Sequence, residues 1–298
     1  MTIRPGSPAD LDAIIALWHL EVRAGTRDCV PRELQVKGLL AHFDWAAKSR
    51  VIEGGTTGLS GAILVTSRPT AEGVVSRIDP AAAEEGSVEA MGELVRWALQ
   101  LSLAAGAVAA QVWVGPGRRD ALSALGLEMV RPWWRMDRSL DGDLPAPCPV
   151  EGYRMLDGTD VPGPWSEMHN RSFADHWRFS ARSEEELMVG KHPGLCLMVV
   201  TPTGEPAALT LSQVETYSGD KRLQPVGLVS SVGTVPDHRR RGLATWLVAE
   251  AMLRLRAAGA RHASLYVDGW NHSRAFDAYA KLGFELAFVA EVWEAVFK

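Results

Sequence analysis

Apolar residues near the start of the chain recur at the helical spacing. After a short strand predicted at 2–4, Leu11, Ile14, Ile15, Trp18 and Val22 share one face of a helix. Its start is marked by Ser7 as cap, Pro8 at the first helical position and the acid Asp10 three residues after the cap. A second helix is predicted over 32–48, and strands over 50–53 and 62–67 on either side of the glycine-rich turn 54–58. The segment 87–104 returns to the helical period through Met91, Leu94, Val95, Ala98 and Leu101, and stops near Gly106, a residue type that suits helix C-termini. A strand at 110–114, a short helix at 119–125 ending at Gly126 and a strand at 129–137 complete this half.

The stretch 139–149 is rich in Pro, Asp and Gly and has no apolar period, so it is read as a boundary between two domains, 1–140 and 150–298. The same order then returns. A strand at 153–156 precedes helices at 165–173 and 183–188, then a hairpin of 196–201 with 207–214 around Gly204. A strand at 227–235, a helix at 243–258 before Gly259, a strand at 263–267, a helix at 273–282 before Gly283 and a final strand follow. Residues 101–107 and 254–260 share Ala-Ala-Gly-Ala at their ends, 110–114 lies over 263–267, and Ala124-Leu-Gly-Leu-Glu128 lies over Lys281-Leu-Gly-Phe-Glu285. The halves repeat each other. This alternation predicts an α/β (α+β mixed sheet) class, with two mixed sheets flanked by helices and parallel pairing where a helix crosses over.

Composition narrows the function. A chain of 298 residues, 47% hydrophobic and 22% charged, supports full cores. A net charge of -5 argues against a general nucleic-acid binder, while leaving room for a local basic patch that serves phosphates on a small ligand. The three cysteines form no C-x-x-C pair and leave one over, so neither a disulfide framework nor a zinc site is expected, and no metal. Eleven tryptophans scatter over both halves and are read as core and pocket walls. No run is long and apolar enough for a membrane span and residues 1–5 lack the apolar core of a secretory signal, so a cytoplasmic location is expected.

The candidate chemistry lies in Leu228-Val-Ser-Ser-Val-Gly-Thr-Val-Pro-Asp-His-Arg-Arg-Arg-Gly-Leu-Ala-Thr-Trp-Leu247, where a strand runs into a tight turn that opens a helix at Gly242. The N–H groups at a helix start have no partner within the helix, and with the helix dipole they form an anion site. Gly242 and Ala244 allow close backbone approach and the arginines add charged donors, so a pyrophosphate is the expected ligand. The loop Arg239-x-x-Gly242-x-Ala244, with Asn271, Ala275, Tyr279 and Lys281-Leu-Gly-Phe284 after it, resembles the GNAT superfamily of N-acetyltransferases over about 153–298. The two-domain layout resembles its tandem members, a group that includes mycothiol synthase.

The resemblance implies two tandem GNAT-type domains and direct attack of a small-molecule primary amine on acetyl-CoA, the cosubstrate, in a ternary complex. It implies cofactor contacts from Val232, Thr234, Val235, Arg239, Arg240, Arg241, Gly242, Leu243, Ala244, Thr245, Asn271 and Ser273, with Tyr279 as the acid for the leaving thiolate. Many family members take a base from the strand before the loop, but 225–235 holds no carboxylate, and Asp175, His176 and Glu215 stand as candidates. The acid in Asp175-His-Trp177 and the net negative charge lean toward cationic acceptors such as aminoglycosides, amino sugars or polyamines. Neither nucleic acid nor membrane is an expected partner, and the protein is expected to be a monomer or homodimer. The alternatives are a non-catalytic acyl-CoA-binding or sensing module and an enzyme using a longer acyl-CoA. Aligning Pro80 with Pro236 sets Ala-Glu-Glu-Gly-Ser-Val at 83–88 in place of the arginine loop and Leu122 in place of Tyr279, so the first half is expected not to bind CoA.

Overall fold

The computed structural model describes residues 2–30, 36, 40–82, 87–161, 163–217, 222–271 and 274–297. These fall into two compact units, one of Met1–Trp133, Tyr217–Lys221 and Phe288–Lys298, the other of Trp134–Thr216 and Arg222–Ala287.

In the first unit, Ser7 donates its backbone N–H to Asp10 (2.8 Å) at the start of a 3-10 turn, Pro8–Asp10, that leads into helix α1, Leu11–Ala24. The predicted helix at 32–48 is only partly described. Residues 31–35 and 37–39 lie outside the described residues, 40–44 are turn and irregular chain, and Asp44 caps a single turn, α2, Trp45–Lys48. The sheet runs β1 (Ile3–Pro5), β2 (Ser49–Glu53), β3 (Leu59–Thr70), β4 (Gly73–Ala82), β5 (Ala109–Val114) and the part of β12 (Glu285–Val296) from Phe288 onward. Among the described residues these neighbours pair antiparallel except β4 with β5, which are joined through α3 (Ser87–Ala104). A short helix α4, Arg119–Ser123, follows β5. Ile63 and Val65 pack under α3 with Ile78, Leu94 and Val95, while Ala62 and Leu64 pack under α1 with Ile14, Leu17 and Trp18. A strand covered on both faces needs no polar alternation, which is why β3 reads as one apolar run.

The repeat of the halves implies a strand before the helix 87–104 without giving it residues, and the structure supplies β4 there. In the structure Pro80 is a regular member of β4, opposite Ile63. Its alignment with Pro236 is therefore corrected, because Pro236 lies past the end of its strand in a 3-10 turn.

The second unit orders its strands β6 (Glu128–Ser139, from Trp134), β11 (His262–Asp268), β10 (Val226–Thr234), β9 (Pro206–Glu215), β8 (Leu197–Val200) and β7 (Arg154–Asp157). Helices α5 (Trp165–Phe173) and α6 (Glu184–Met188) precede the hairpin of β8 and β9. The long helix α7 (Leu243–Ala257) crosses from β10 to its parallel neighbour β11, and α8 (Ala275–Lys281) follows. Leu209, Leu211 and Val235 pack with Trp165 and Met168 of α5, whereas Val229, Val248, Met252, Leu265 and Tyr279 form a cluster around α7.

Candidate active site

Strands β10 and β11 pair over only four residues each, from Val226 opposite His262 to Val229 opposite Leu265. β10 then continues to Thr234 alongside β9, and β11 continues to Asp268 without it. The register against β9 shifts between Val229 and Ser231, a bulge that increases local twist and turns the strand away from β11. The five residues after Val229 leave an open edge about 16 Å long, at about 3.3 Å per residue. Val235 donates its N–H to Ala207 of the β9 side (3.0 Å), and strand groups alternate in direction, so Val232 and Thr234 turn their N–H groups into the opening. Of the three strand residues expected to meet a cofactor, Val232 and Thr234 turn their N–H groups to the open edge. Val235 has spent its donor elsewhere.

Beyond the strand, Arg240 and Gly242 adopt left-handed backbone conformations, φ 64° and 88°. Glycine takes this at no steric cost, whereas Arg240 holds roughly 1–3 kcal/mol of strain of the kind found where a loop clamps a ligand. Trp246 makes the first bond of α7, to the Gly242 carbonyl at 3.0 Å, so the N–H groups of Leu243, Ala244 and Thr245 have no acceptor in the helix. No side chain caps this end and no acid lies in its first turn. The unpartnered N–H groups expected at this turn are thus present, with Arg240 beside them and Arg241 held by one bond to the Asp237 carbonyl (3.2 Å).

Arg239 and Asp175, predicted separately as a cofactor contact and a base, instead bind each other. The guanidinium donates from Nη1 to Asp175 Oδ2 (2.6 Å) and from Nη2 to Oδ1 (2.8 Å), and also reaches the Ser172 carbonyl (3.0 Å) and, through Nε, the Thr234 carbonyl (3.1 Å). The bond to Arg239 lowers the Asp175 pKa, so the carboxylate is a poor proton acceptor. The acid that favoured cationic acceptors is already neutralised. Gly233 explains how α5 lies so close: a Cβ there would stand 2.8 Å from Ser172 Cβ and 2.9 Å from a Phe173 ring carbon. A glycine inside a strand pattern was the available signal for this contact. Phe173 stacks on His169 (4.5 Å) and meets His176 edge-on (4.8 Å), giving the α5 side of β10 an aromatic wall. Burial lowers the His169 pKa to about 4, so this imidazole is neutral near pH 7. His176 is exposed at the end of the wall.

Tyr279 approaches from the other face, buried in the α7 cluster with Val229. Among the described residues its hydroxyl has no hydrogen-bond partner, and burial raises its pKa above the ordinary phenol value. Asn271 sits in the turn after β11, donating its N–H to the Asp268 carbonyl (3.1 Å), while Ser273 lies outside the described residues. Glu215 pairs with Val226 at the closed end of β10, four residues or about 13 Å along the strand from the start of the opening. It is buried and accepts a hydrogen bond from Gln213, which in turn takes one from Lys191. The structure thus gathers the loop, Tyr279 and the α5 wall, and leaves Glu215 apart. Among the described residues no group of three His, Cys, Asp or Glu side chains is placed to hold a metal ion.

The first unit repeats the parting of parallel strands, since β4 and β5 pair only from Val75 opposite Ala109 to Ile78 opposite Val112. Its register with β3 has no bulge. The open edge carries Pro80, which has no N–H, and Ala82, whose N–H goes to buried Glu21 at 3.1 Å. Arg27 donates to Glu21 (2.8 Å), Asp79 (2.7 Å) and the Pro80 carbonyl (3.1 Å), and Arg118 to the Ala82 carbonyl (3.3 Å). The unit's own side chains take up the edge that the second unit leaves open. The acidic segment 83–88 does not bear on this, because 83–86 and the side chains of 87 and 88 lie outside the described residues.

Comparison with known proteins bears on the same region. Residues 163–284 match the model of the acetyltransferase (GNAT) family. The chain is 31% identical over 185 residues to a mycothiol acetyltransferase of Kytococcus sedentarius, covering 58% of this chain and 60% of that protein. It is 30% identical over 189 residues to one of Thermobispora bispora, covering 57% and 59%. The chain therefore spans about 60% of the length of these curated relatives. A GCN5-related N-acetyltransferase from Sphaerobacter thermophilus has the same fold over 99% of this chain and 95% of its own, with a TM-score of 0.77 at 19% identity. A tandem GNAT protein from the clavulanic acid biosynthesis pathway aligns over 99% and 98%, with a TM-score of 0.68 at 18% identity. The chain has the fold of these GNAT structures, the tandem protein among them, and the part of it that matches the acetyltransferase (GNAT) family model lies within the second half.

Proposed function

We propose that this protein is an N-acetyltransferase that moves the acetyl group of acetyl-CoA to a primary amine on a small molecule, with one cofactor site per chain, in the second unit. The observation that carries the reading is the pairing of an open β10 edge with an uncapped, acid-free start of α7. Backbone N–H groups of Leu243, Ala244 and Thr245, with Arg240 and Arg241, bind the diphosphate. Val232 and Thr234 offer hydrogen bonds to the extended arm and hold the thioester carbonyl polarised, and Asn271 helps to position that arm. The acceptor amine enters on the α5 side, past Phe173 and His176, while Tyr279 meets the sulfur from the opposite face. The amine nitrogen forms its bond to the acetyl carbon as the carbon–sulfur bond breaks. His176 takes the amine proton and passes it to solvent, Tyr279 donates a hydrogen bond to the departing sulfur, and the thiolate takes a proton from solvent to leave as the free thiol. Asp175 has no part in the proton transfer, and Glu215 is too far along β10.

The name shared by the curated relatives makes acetylation in mycothiol formation one specific form of this reading. The test is a calorimetric titration with acetyl-CoA, followed by release of free thiol with a panel of primary amines. One site per chain, lost in an Arg240→Ala/Gly242→Val double variant, and turnover with any amine support the proposal. Two sites per chain contradict the single-site reading. Binding without turnover on any amine leaves a sensing module in its place, and preferred use of a longer acyl-CoA changes the donor.

A further inference from the structure

We propose that Asp175 and Arg239 are a positioning pair that couples the anion site at the start of α7 to the end of α5, so that filling the first orders the second. The inference rests on the acetyl-CoA reading. A guanidinium has five N–H donors, and Arg239 uses four of them on the Thr234 carbonyl, the Ser172 carbonyl and the two oxygens of Asp175. It is therefore committed to protein groups, although it stands in the middle of a loop built for an anion. The three partners lie on the open strand edge, on the last turn of α5 and just after it. Thr234 is also one of the two residues whose N–H enters the opening, so a single side chain joins the cofactor edge to the acceptor wall.

Stability does not explain the arrangement. The Asp175 side chain is 54% exposed and that of Arg239 29%, and ion pairs of such exposure contribute about 0–1 kcal/mol. Orientation does explain it, because a two-pronged carboxylate–guanidinium contact fixes direction as well as distance. Just beyond Asp175 come His176 and Trp177, and His176 donates its N–H back to the Phe173 carbonyl (2.9 Å). Phe173 itself is pressed against Gly233. A loop held by a bound diphosphate holds Arg239, and Arg239 holds the residues that face the acceptor.

Hydrogen–deuterium exchange on the intact chain, with and without saturating acetyl-CoA, reads this coupling without needing the acceptor. In the wild type, amides of 165–179 should exchange at least threefold more slowly with acetyl-CoA bound. Asp175→Asn should still bind acetyl-CoA within threefold of the wild-type Kd, melt within about 2 °C of it, and lose that protection. Arg239→Lys keeps the charge but cannot form the fork, and should lose the protection too. Equal protection in Asp175→Asn overturns the coupling, as does a wild type that binds acetyl-CoA and shows none. A tenfold loss of acetyl-CoA affinity in Asp175→Asn also overturns it, by placing the pair in the cofactor site itself. A wild type that does not bind acetyl-CoA removes the functional reading and the coupling together.

Discussion

Replacing Tyr279 by Phe removes one oxygen and nothing else, and the surroundings of that oxygen make the result informative. The ring is buried among Val229, Leu265, Leu282 and Phe284, and among the described residues the hydroxyl bonds to none. No internal hydrogen bond is lost in the variant, so its Tm should stay within about 2 °C, less than roughly 1 kcal/mol for a unit of this size. Catalysis is different. The buried phenol has a pKa raised above 10 and a free thiol titrates near 8.5, so complete proton transfer to the thiolate is uphill by at least about 2 kcal/mol. In the proposed reaction the hydroxyl therefore acts first as a hydrogen-bond donor to the developing negative sulfur, an interaction of about 1.5–3 kcal/mol. At about 1.4 kcal/mol per tenfold, its loss should lower kcat roughly 10- to 150-fold. The assay is thiol release from acetyl-CoA with a reactive amine, run beside thermal denaturation. An unchanged kcat refutes the role of the hydroxyl, and a Tm drop above about 5 °C refutes the claim that the hydroxyl is structurally idle. Truncation to Ala would be uninformative, because a cavity left by an aromatic ring costs about 3–5 kcal/mol by itself.

Two further predictions concern buried charge. In the first unit, Arg27→Ala leaves Glu21 and Asp79 without their shared partner and should cost about 3–5 kcal/mol in urea denaturation at pH 7. Glu21→Gln should cost less, under about 2 kcal/mol, because burial raises the Glu21 pKa and the fold already disfavours its charge; the reverse order would contradict this account. A raised acid pKa also means that the folded state holds its proton more tightly, so the wild type should gain on Glu21→Gln as pH falls. His169 has the opposite sign. Its pKa is lowered by burial to about 4 from an ordinary 6.5, so the stability it contributes is complete above pH 6.5 and declines as pH falls toward 4, by up to about 3 kcal/mol. His169→Gln should flatten that acid limb in a series of melts from pH 7 to 4, and an unchanged slope would show that His169 does not set it.

Local pattern reached the elements that have one clear period or one clear stop. The limits of α5 and the start of α7 follow from apolar spacing and from the left-handed glycine at 242, and the repeat of the two halves was visible in shared residues. The repeat of the halves implied a strand before the helix 87–104 but gave it no residues, and the structure shows it as β4 with Pro80 inside it. Pro80 is tolerated there because β4 has already parted from β5, so the proline needs a partner for its missing N–H on neither side. Pairing partners were also beyond reach: the last strand joins β5 of the first unit, with Glu291 opposite Val114, and nothing in the period of a strand names its neighbour.

The sequence by itself determined the two-part α/β plan and the turn that opens α7 at Gly242, because each depends on residue types at short, fixed spacings. Only the tertiary structure decided which of those groups meet. Asp175 and Arg239, 64 residues apart, neutralise each other, and Glu215 lies at the wrong end of its strand. The opening in the first unit is filled by Glu21 and Arg27, near the end of α1, and by Arg118, 97 residues beyond Glu21. Charge and polarity are written residue by residue, but whether a carboxylate is a base, a clamp or a plug depends on which donor the fold sets within 3 Å of it.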